Sequence, residues 1–522
     1  MKAKHYAFLA TTFHLPSART VSDYLSPGAH APDGILYDVL KMQRGEFEKE
    51  LKIREDPPSE NFAEWLHCGS LCFDSKKGKE KVLMDQVTGE IIGYEQDAFE
   101  LDIILQEIKR LQVPNEEQDS EPKLAQHYLV FIFSTWEKSG HHKQFVVARY
   151  AVKTITSRFL KREGRKIIHA LFLYKFVVTT ISGDGASENR STFHDLCTHT
   201  IADILPTLKE EPNVPTSMKI AFRHPCRKDL LIFVQGDMPH IIKKFVNALE
   251  RSGDYNSTTW LQFREQYLSL GDLQDIWLEC RKATENSIRT EHLSKDHFPP
   301  KNANTRMRVH LAAQITSQTM IQLIDKYAPD PDNFVAMKAI LGALDRFIDI
   351  INAKMENRGI HKGCHIINSP HHPHLTELIE IAKIFGEWKN ENAGSSHFIP
   401  QSTYEDICWA VFGTVGMAKT YLFVDGKRKM NQAKSGSDPC EHHFGNINDQ
   451  NANANAGEMR SYSAKSTASR GHTLHHHNKT NSSGKQQGYV TAEVTTEMSR
   501  RPREDAVAGT GWAKKAKRSN SI

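Results

Sequence analysis

Two apolar runs in this chain, SLCFD at 70–74 and FVVTTISGD at 176–184, each end on an aspartate, and both have the length and β-branched or aromatic content of buried strands. If such strands lie side by side, their terminal carboxylates meet at one edge of a sheet. A third carboxylate, Glu441 in SDPCEHHFGNIN, stands in a helical segment that follows a long stretch of helical periodicity. Carboxylates at the ends of adjacent strands plus one on a flanking helix can hold two Mg²⁺ ions, the arrangement that in-line phosphodiester chemistry needs. Asp74, Asp184 and Glu441 are therefore the candidate catalytic and metal-ligating residues, with Mg²⁺ or Mn²⁺ as the matching hard cation.

The strand signal is confined to the first half. After a lead-in rich in Pro, Gly and Ser, ILYDVLKMQRGEFEKEL reads as an amphipathic helix, and Pro57 and Pro58 close that segment. SLCFD, KVLMD and IIGYE then predict a meander of three short strands, with VTGE as a turn. VPNEEQDSEPK at 113–123 reads as a solvated loop. LVFIF and FVVARYAV add strands, TSRFLKREGRKIIHALFLYK predicts a helix, and SENRSTFHDLCTHTIADIL predicts another, with Ser187 as N-cap. DLLIFVQGD makes a further buried strand. Antiparallel strands followed by strands alternating with helices predict a mixed α/β sheet with helices on both faces.

Beyond Asp237 the period becomes helical, in MPHIIKKFVNAL, in MRVHLAAQITSQTMIQLIDKYA and in NFVAMKAILGALDRFIDIINAK. In the last of these, Phe334, Met337, Leu341, Leu344, Ile348 and Ile351 share one face. The predicted organisation is a lead-in and helix at 1–60, the first part of an α/β domain at 61–237, a helical insertion at 238–425, and a helix completing the α/β domain at 426–450. From 451 to 522 the Asn-, Ser-, Gly- and His-rich composition is too poor in large apolar residues to offset chain entropy, and a disordered tail is expected.

Charge does not announce a partner. Lys+Arg number 67 against 63 Asp+Glu, a formal net charge of +4, so any nucleic-acid contact has to come from local clusters. Those are Lys161, Arg162, Arg165 and Lys166; Lys243 and Lys244; Lys427, Arg428 and Lys429; Arg500, Arg501 and Arg503; and Lys514, Lys515, Lys517 and Arg518. Taken singly, each is more readily read as a solvated face. The eight cysteines are scattered, which suits a reducing intracellular compartment, and no second close pair completes a zinc site with Cys68 and Cys72. No run approaches the roughly 20 apolar residues of a membrane span.

FDSKKGKEKVLMDQVTGEIIGYEQDA, ISGDGASENRSTF, FVQGDMPHIIKKFVNAL, MRVHLAAQITSQT, ALDRFIDIINAK and DPCEHHFGNIN, in that order, resemble the P element family of transposases, which includes the THAP-domain transposases. The resemblance covers roughly residues 11–450. It implies an RNase H-like domain interrupted by an insertion domain that binds GTP, cut-and-paste transfer of DNA, a nuclear location, and double-stranded DNA, as element ends and target, for partner. It also allows for a homo-oligomer. The family's catalytic triad falls on Asp74, Asp184 and Glu441.

Asp237 and Lys243 are the residues that the resemblance offers to the nucleotide; the sequence has no P-loop, and a helix N-cap is the plainer reading of Asp237. Asp345, Asp349 and Asn352 match another family segment and equally form the polar face of a helix. No cysteine precedes Cys68, so the family's N-terminal zinc-coordinating module is expected to be absent. Three readings follow: a transposase, a truncated or domesticated remnant that binds DNA or partners without cutting, and a hAT-like transposase or other RNase H-like nuclease.

Overall fold

The computed structural model describes residues 31–52, 60–84, 89–95, 123–136, 144–253, 260–282, 293–298, 308–353, 366–448 and 451–463. In chain order it builds β1 (Gly34–Ile35), α1 (Tyr37–Lys52), α2 (Glu60–Leu66), β2 (Cys68–Lys77), β3 (Leu83–Met84), β4 (Ile91–Ile92), β5 (His127–Thr135), β6 (Gln144–Val152), α3 (Ser157–Leu173), β7 (Val177–Gly183) and α4 (Ser187–Leu196). β8 (His199–Thr200), β9 (Lys219–Arg223), β10 (Leu231–Gln235), α5 (Met238–Arg251), β11 (Leu261–Phe263), β12 (Gln266–Leu268) and α6 (Leu270–Lys282) follow. Further helices among the described residues are α7 (Val309–Ile315), α8 (Gln318–Tyr327), α9 (Val335–Ile351), α10 (Pro373–Glu391), α11 (Gln401–Tyr421) and α12 (Asp438–Asn448).

Eight strands form one mixed sheet in the order β1-β6-β5-β2-β7-β10-β9-β8. β2, β5 and β6 pair antiparallel, whereas β7 lies parallel to β2 and β10 parallel to β7. That is an RNase H-like sheet: an antiparallel meander extended on one side by parallel strands whose crossovers are helices. The central strands are buried on both faces, since every residue of β5 except His127 and every residue of β7 is buried. On one face Phe73 packs against Phe131 and against Phe193 of α4; on the other, Cys72 meets Cys440 of α12.

The three-stranded meander expected from SLCFD, KVLMD and IIGYE is corrected. β2 is a ten-residue strand that pairs with β5 and β7, and the two-residue strands β3 and β4 form a separate hairpin. Turn signals and alternation recognise a hairpin, yet they do not say which strand a buried run will choose. The long helix expected from Ser187 also breaks, because residues 199–200 add an edge strand to β9 after α4.

The helical span 238–425 contributes to the sheet layer at both of its ends. α11 lies along β10 so closely that a Cβ on Gly413 would sit 2.0 Å from the Val234 carbonyl oxygen. α5 leaves β10 through Gly236 and Asp237. Between them α6 to α10 pack on one another, and Met337, Leu341, Leu344, Ile348 and Ile351 of α9 are buried as its spacing predicts. β11 and β12 make a small antiparallel hairpin within this span.

Residues 451–463 correct the expected tail. Ala454 and Met459 are fully buried, Asn455 bridges to Lys79, and residues 456–463 are helical. The composition of the segment as a whole hid two apolar residues and an arginine that fit prepared sites. Residues 464–522 lie outside the described residues.

Candidate active site

β2 and β7 run parallel with Phe73 opposite Gly183, so the next residues, Asp74 inside β2 and Asp184 just past the end of β7, come at the same level of the sheet. Neighbouring strands are about 4.8 Å apart, close enough for two carboxylates to feel each other strongly. Asp74 shows the effect. Burial pushes its carboxyl up to about 7, and the negative charges of Asp184 and, more weakly, Glu441 push in the same direction, against a hydrogen bond from the Ser75 amide (2.7 Å) and the nearby His240. Asp184 and Glu441 thus both weigh on the Asp74 carboxyl.

Asp184 is oriented by its own loop. The Ala186 amide donates to its Oδ1 at 3.1 Å and the Asn189 side chain donates to the same oxygen at 2.5 Å. Here the expected N-cap moves: Ala186, not Ser187, caps α4, and no side chain caps the helix from that position. Asp184, two residues earlier, takes the free amide instead, which is how a helix start holds a carboxylate.

Glu441 reaches the site because α12 is anchored beneath it. Cys440 and Cys72, both buried, bring their Sγ atoms to 3.5 Å, and Cys72 lies two residues before Asp74 on the same face of β2. Lys76 on the same strand donates to Asn448 at the far end of the helix.

Asp237 is not the side-chain cap of α5. It stands at the N-cap position but its side chain takes none of the helix's backbone amides, and it is 3% exposed. Its Oδ1 accepts from the Ser437 amide at 2.9 Å, and its Oδ2 is bonded to His240 Nδ1. Burial alone would raise this carboxyl, but the charge and hydrogen bond of His240 hold it below the usual range. His240 Nδ1 is also 3.8 Å from Glu441 Oε1. Asp237, His240 and Glu441 each offer a ligand atom within 4.8 Å of the others, a group able to hold a metal ion. Glu441 is thus a member of this triad, and its charge also weighs on the Asp74 carboxyl.

Lys243 is buried beside His240, and its neighbour Lys244 reaches the loop after Asp184. Sequence reasoning passed over Asp406 and gave His240 no role. One signal was available for Asp406: Glu405 and Asp406 are the only charges in TYEDICWAVFGTVG and are adjacent, whereas a solvated face would repeat its charges at helical spacing. For His240 the signal was its spacing of three from Asp237, which puts the two on one helical face.

The basic clusters are largely consumed within the fold. Lys161 pairs with Asp195, Arg162 and Lys166 with Glu163, and Arg428 is buried with its guanidinium over Phe423 and donating to the Tyr421 carbonyl. The two clusters beyond residue 463 lie outside the described residues. Among the described residues, no helix is long and apolar enough to cross a membrane.

No protein-family model matches the sequence, and no curated protein matches it. Among solved structures, a chain described as "Drosophila P element transposase strand transfer complex" superposes with a TM-score of 0.63 over 90% of this chain and 89% of that one, at 16% sequence identity. The likeness is one of fold, and it extends through both the sheet and the helical span.

Proposed function

We propose that the chain is a DNA transposase of the P element type, which cuts and joins double-stranded DNA by two-metal chemistry at Asp74, Asp184 and Glu441. The observation that carries this reading is the parallel register that sets Asp74 level with Asp184, with Glu441 acting on the same carboxyl group. The fold likeness to a transposase chain caught in a strand transfer complex supports it.

The residues fit divalent cations. Carboxylate oxygens are hard donors suited to Mg²⁺ or Mn²⁺, and an imidazole beside them is better suited to Mn²⁺. Burial first, and then the negative charges of Asp184 and Glu441, raise the Asp74 carboxyl, and positive charge at this point favours its ionised form. When bound, such ions supply Lewis acidity to a phosphodiester and lower the pKa of an attacking water or hydroxyl. The protein's part is positional: Asn189 and the Ala186 amide aim Asp184, the thiol pair sets the height of Glu441, and His240 holds Glu441 and Asp237 at fixed separation.

The proposal includes GTP as a ligand of the span 238–425. Of the residues put forward for it, Asp237 already has both oxygens engaged, which leaves Lys243 the more available of the two. Titration calorimetry of GTP against the full chain tests this part; no heat at millimolar nucleotide removes it. A nuclear location and DNA as partner belong to the same reading.

Asp184→Asn keeps the shape of the side chain and removes an anionic ligand. It is expected to abolish Mg²⁺- or Mn²⁺-dependent strand cleavage while duplex binding, which depends on cationic side chains and falls steeply with salt, is nearly unchanged. A variant that cleaves like wild type places the active site elsewhere. A wild-type chain that binds duplex without nicking any DNA makes the protein a binding remnant.

A further inference from the structure

Two cationic side chains converge on a single backbone carbonyl directly behind the site, and one buried carboxylate pairs with both of them. Lys244 Nζ donates to the Gly185 carbonyl oxygen at 3.2 Å and to Asp406 Oδ2 at 2.7 Å. Arg190 donates to the same Gly185 oxygen, and its Nη1 lies 3.7 Å from Asp406 Oδ2. Asp406 is 4% exposed and stands on α11, in a run of sixteen residues of which only Glu405 is not buried. Space for the group is reserved by glycines. A Cβ at Gly185 would fall 1.9 Å from Lys244 Nζ and 2.8 Å from Asp406 Oδ2, and one at Gly236 would fall 2.0 Å from the Asp406 carbonyl oxygen.

We propose that Asp406, through Lys244 and Arg190, is a positioning residue that clamps the Gly185 carbonyl and so fixes Asp184 in register with Asp74. The inference rests on the function proposed above for that pair. A buried ion cluster is a poor source of stability, because desolvating the charges costs as much as or more than their attraction returns, and a well-packed apolar group of the same volume would serve α11 at least as well. Burial indeed pushes the Asp406 carboxyl above the usual range even with two cations beside it. What an apolar group cannot do is hold two cationic donors on one carbonyl oxygen. The clamp acts at the residue after Asp184 from one side, while Ala186 and Asn189 hold its carboxylate from the other.

The arrangement also connects the two parts of the fold. Lys244 comes from α5, Arg190 from α4 and Asp406 from α11, so the helices at either end of the span 238–425 are tied to the loop that carries one catalytic carboxylate. Movement of α11 relative to α5 would therefore reach Asp184 directly.

Hydrogen–deuterium exchange on the full chain without added metal, comparing wild type with Asp406→Asn and Lys244→Met, tests the clamp itself. The expected result is faster exchange over residues 184–190 with unchanged exchange in β2 and β10. With Mn²⁺, both variants are expected to bind the ion about 10- to 100-fold more weakly, the range seen when the groups supporting a metal ligand are removed. The rate constant for cleavage falls with it while KM for duplex DNA holds, and Lys244→Arg recovers part of the loss. Unchanged exchange over 184–190 in both variants overturns the inference. A uniform rise across the sheet also overturns it, since Asp406 would then be an ordinary core group. A wild-type chain that neither cleaves DNA nor binds Mn²⁺ defeats the proposed function, and the exchange pattern alone then decides the clamp.

Discussion

Asp74 is where the cost of assembling this site is concentrated. Its carboxyl rises from an ordinary 3.8 to about 7, chiefly through burial and then through Asp184. The folded chain therefore binds a proton at Asp74 that the unfolded chain has already released over this range. Stability from this group is fully present below about pH 4 and is lost as pH rises through about 7, by an amount of order a few kcal/mol. In chelator, the urea midpoint of the wild type is expected to fall between pH 5 and pH 8, and Asp74→Asn, which cannot ionise, is expected to fall less. Millimolar Mn²⁺ should restore the wild type and not the variant. Equal slopes for the two proteins in chelator would show that Asp74 is not under this strain.

At the scale of elements, the seat of α11 on β10 depends on glycines that let backbone meet backbone. Gly413 faces the Val234 carbonyl and Gly416 faces the ring of Phe233, where a Cβ would stand 2.6 Å from a ring carbon. Gly413→Ala is expected to destabilise by about 1–3 kcal/mol, because a carbonyl oxygen cannot move aside as a flexible side chain can. Gly445 on α12 offers the contrast: it is a helical glycine with nothing within 4 Å of an added Cβ. Gly445→Ala should stabilise by roughly 0.5–1 kcal/mol through helix propensity alone. Thermal melts of the two variants should thus move in opposite directions, and a matching shift would contradict the packing of α11.

Across the whole molecule, distant parts of the chain are closed by one buried arginine cluster. Arg149 of β6 bonds Asp33 (3.2 Å), the Ala31 carbonyl (2.6 Å) and the Arg460 carbonyl (3.3 Å). Arg460 in turn bonds the Ala31 carbonyl (2.8 Å) and Glu90 (2.8 Å). Asp33, Arg149 and Arg460 are each no more than 3% exposed at their side chains. A chain ended at residue 450 loses Arg460 and the buried Met459, and leaves the Asp33 carboxylate with one cation fewer. Removing one partner of a buried pair costs about 3–5 kcal/mol, so a melting temperature lower by several degrees is expected. An unchanged melt would show that residues 451–463 add nothing to the fold. Because this segment follows α12 directly, the same truncation should weaken Mn²⁺ binding through Glu441.

What the sequence determined by itself was local. Alternation and apolar runs marked β2, β5, β6, β7 and β10, the 3.6 period marked α5 and α9, and two aspartates stood out because each closes an apolar run, although β2 continues past Asp74 to Lys77. Period and polarity act within a few residues, so they are visible without a fold. The pairing of β2 with β5 and β7, the seat of α11 on β10, the meeting of Cys72 with Cys440, and the recruitment of Asp406, His240 and Arg460 were decided only by the tertiary structure. Each joins residues far apart in sequence, and whether a carboxylate in a mostly apolar helix is solvated or clamped depends on what the rest of the chain brings to it. The mixed polar segment at 451–463 makes the same point: composition averages over residues, whereas burial selects the two or three that fit a prepared site.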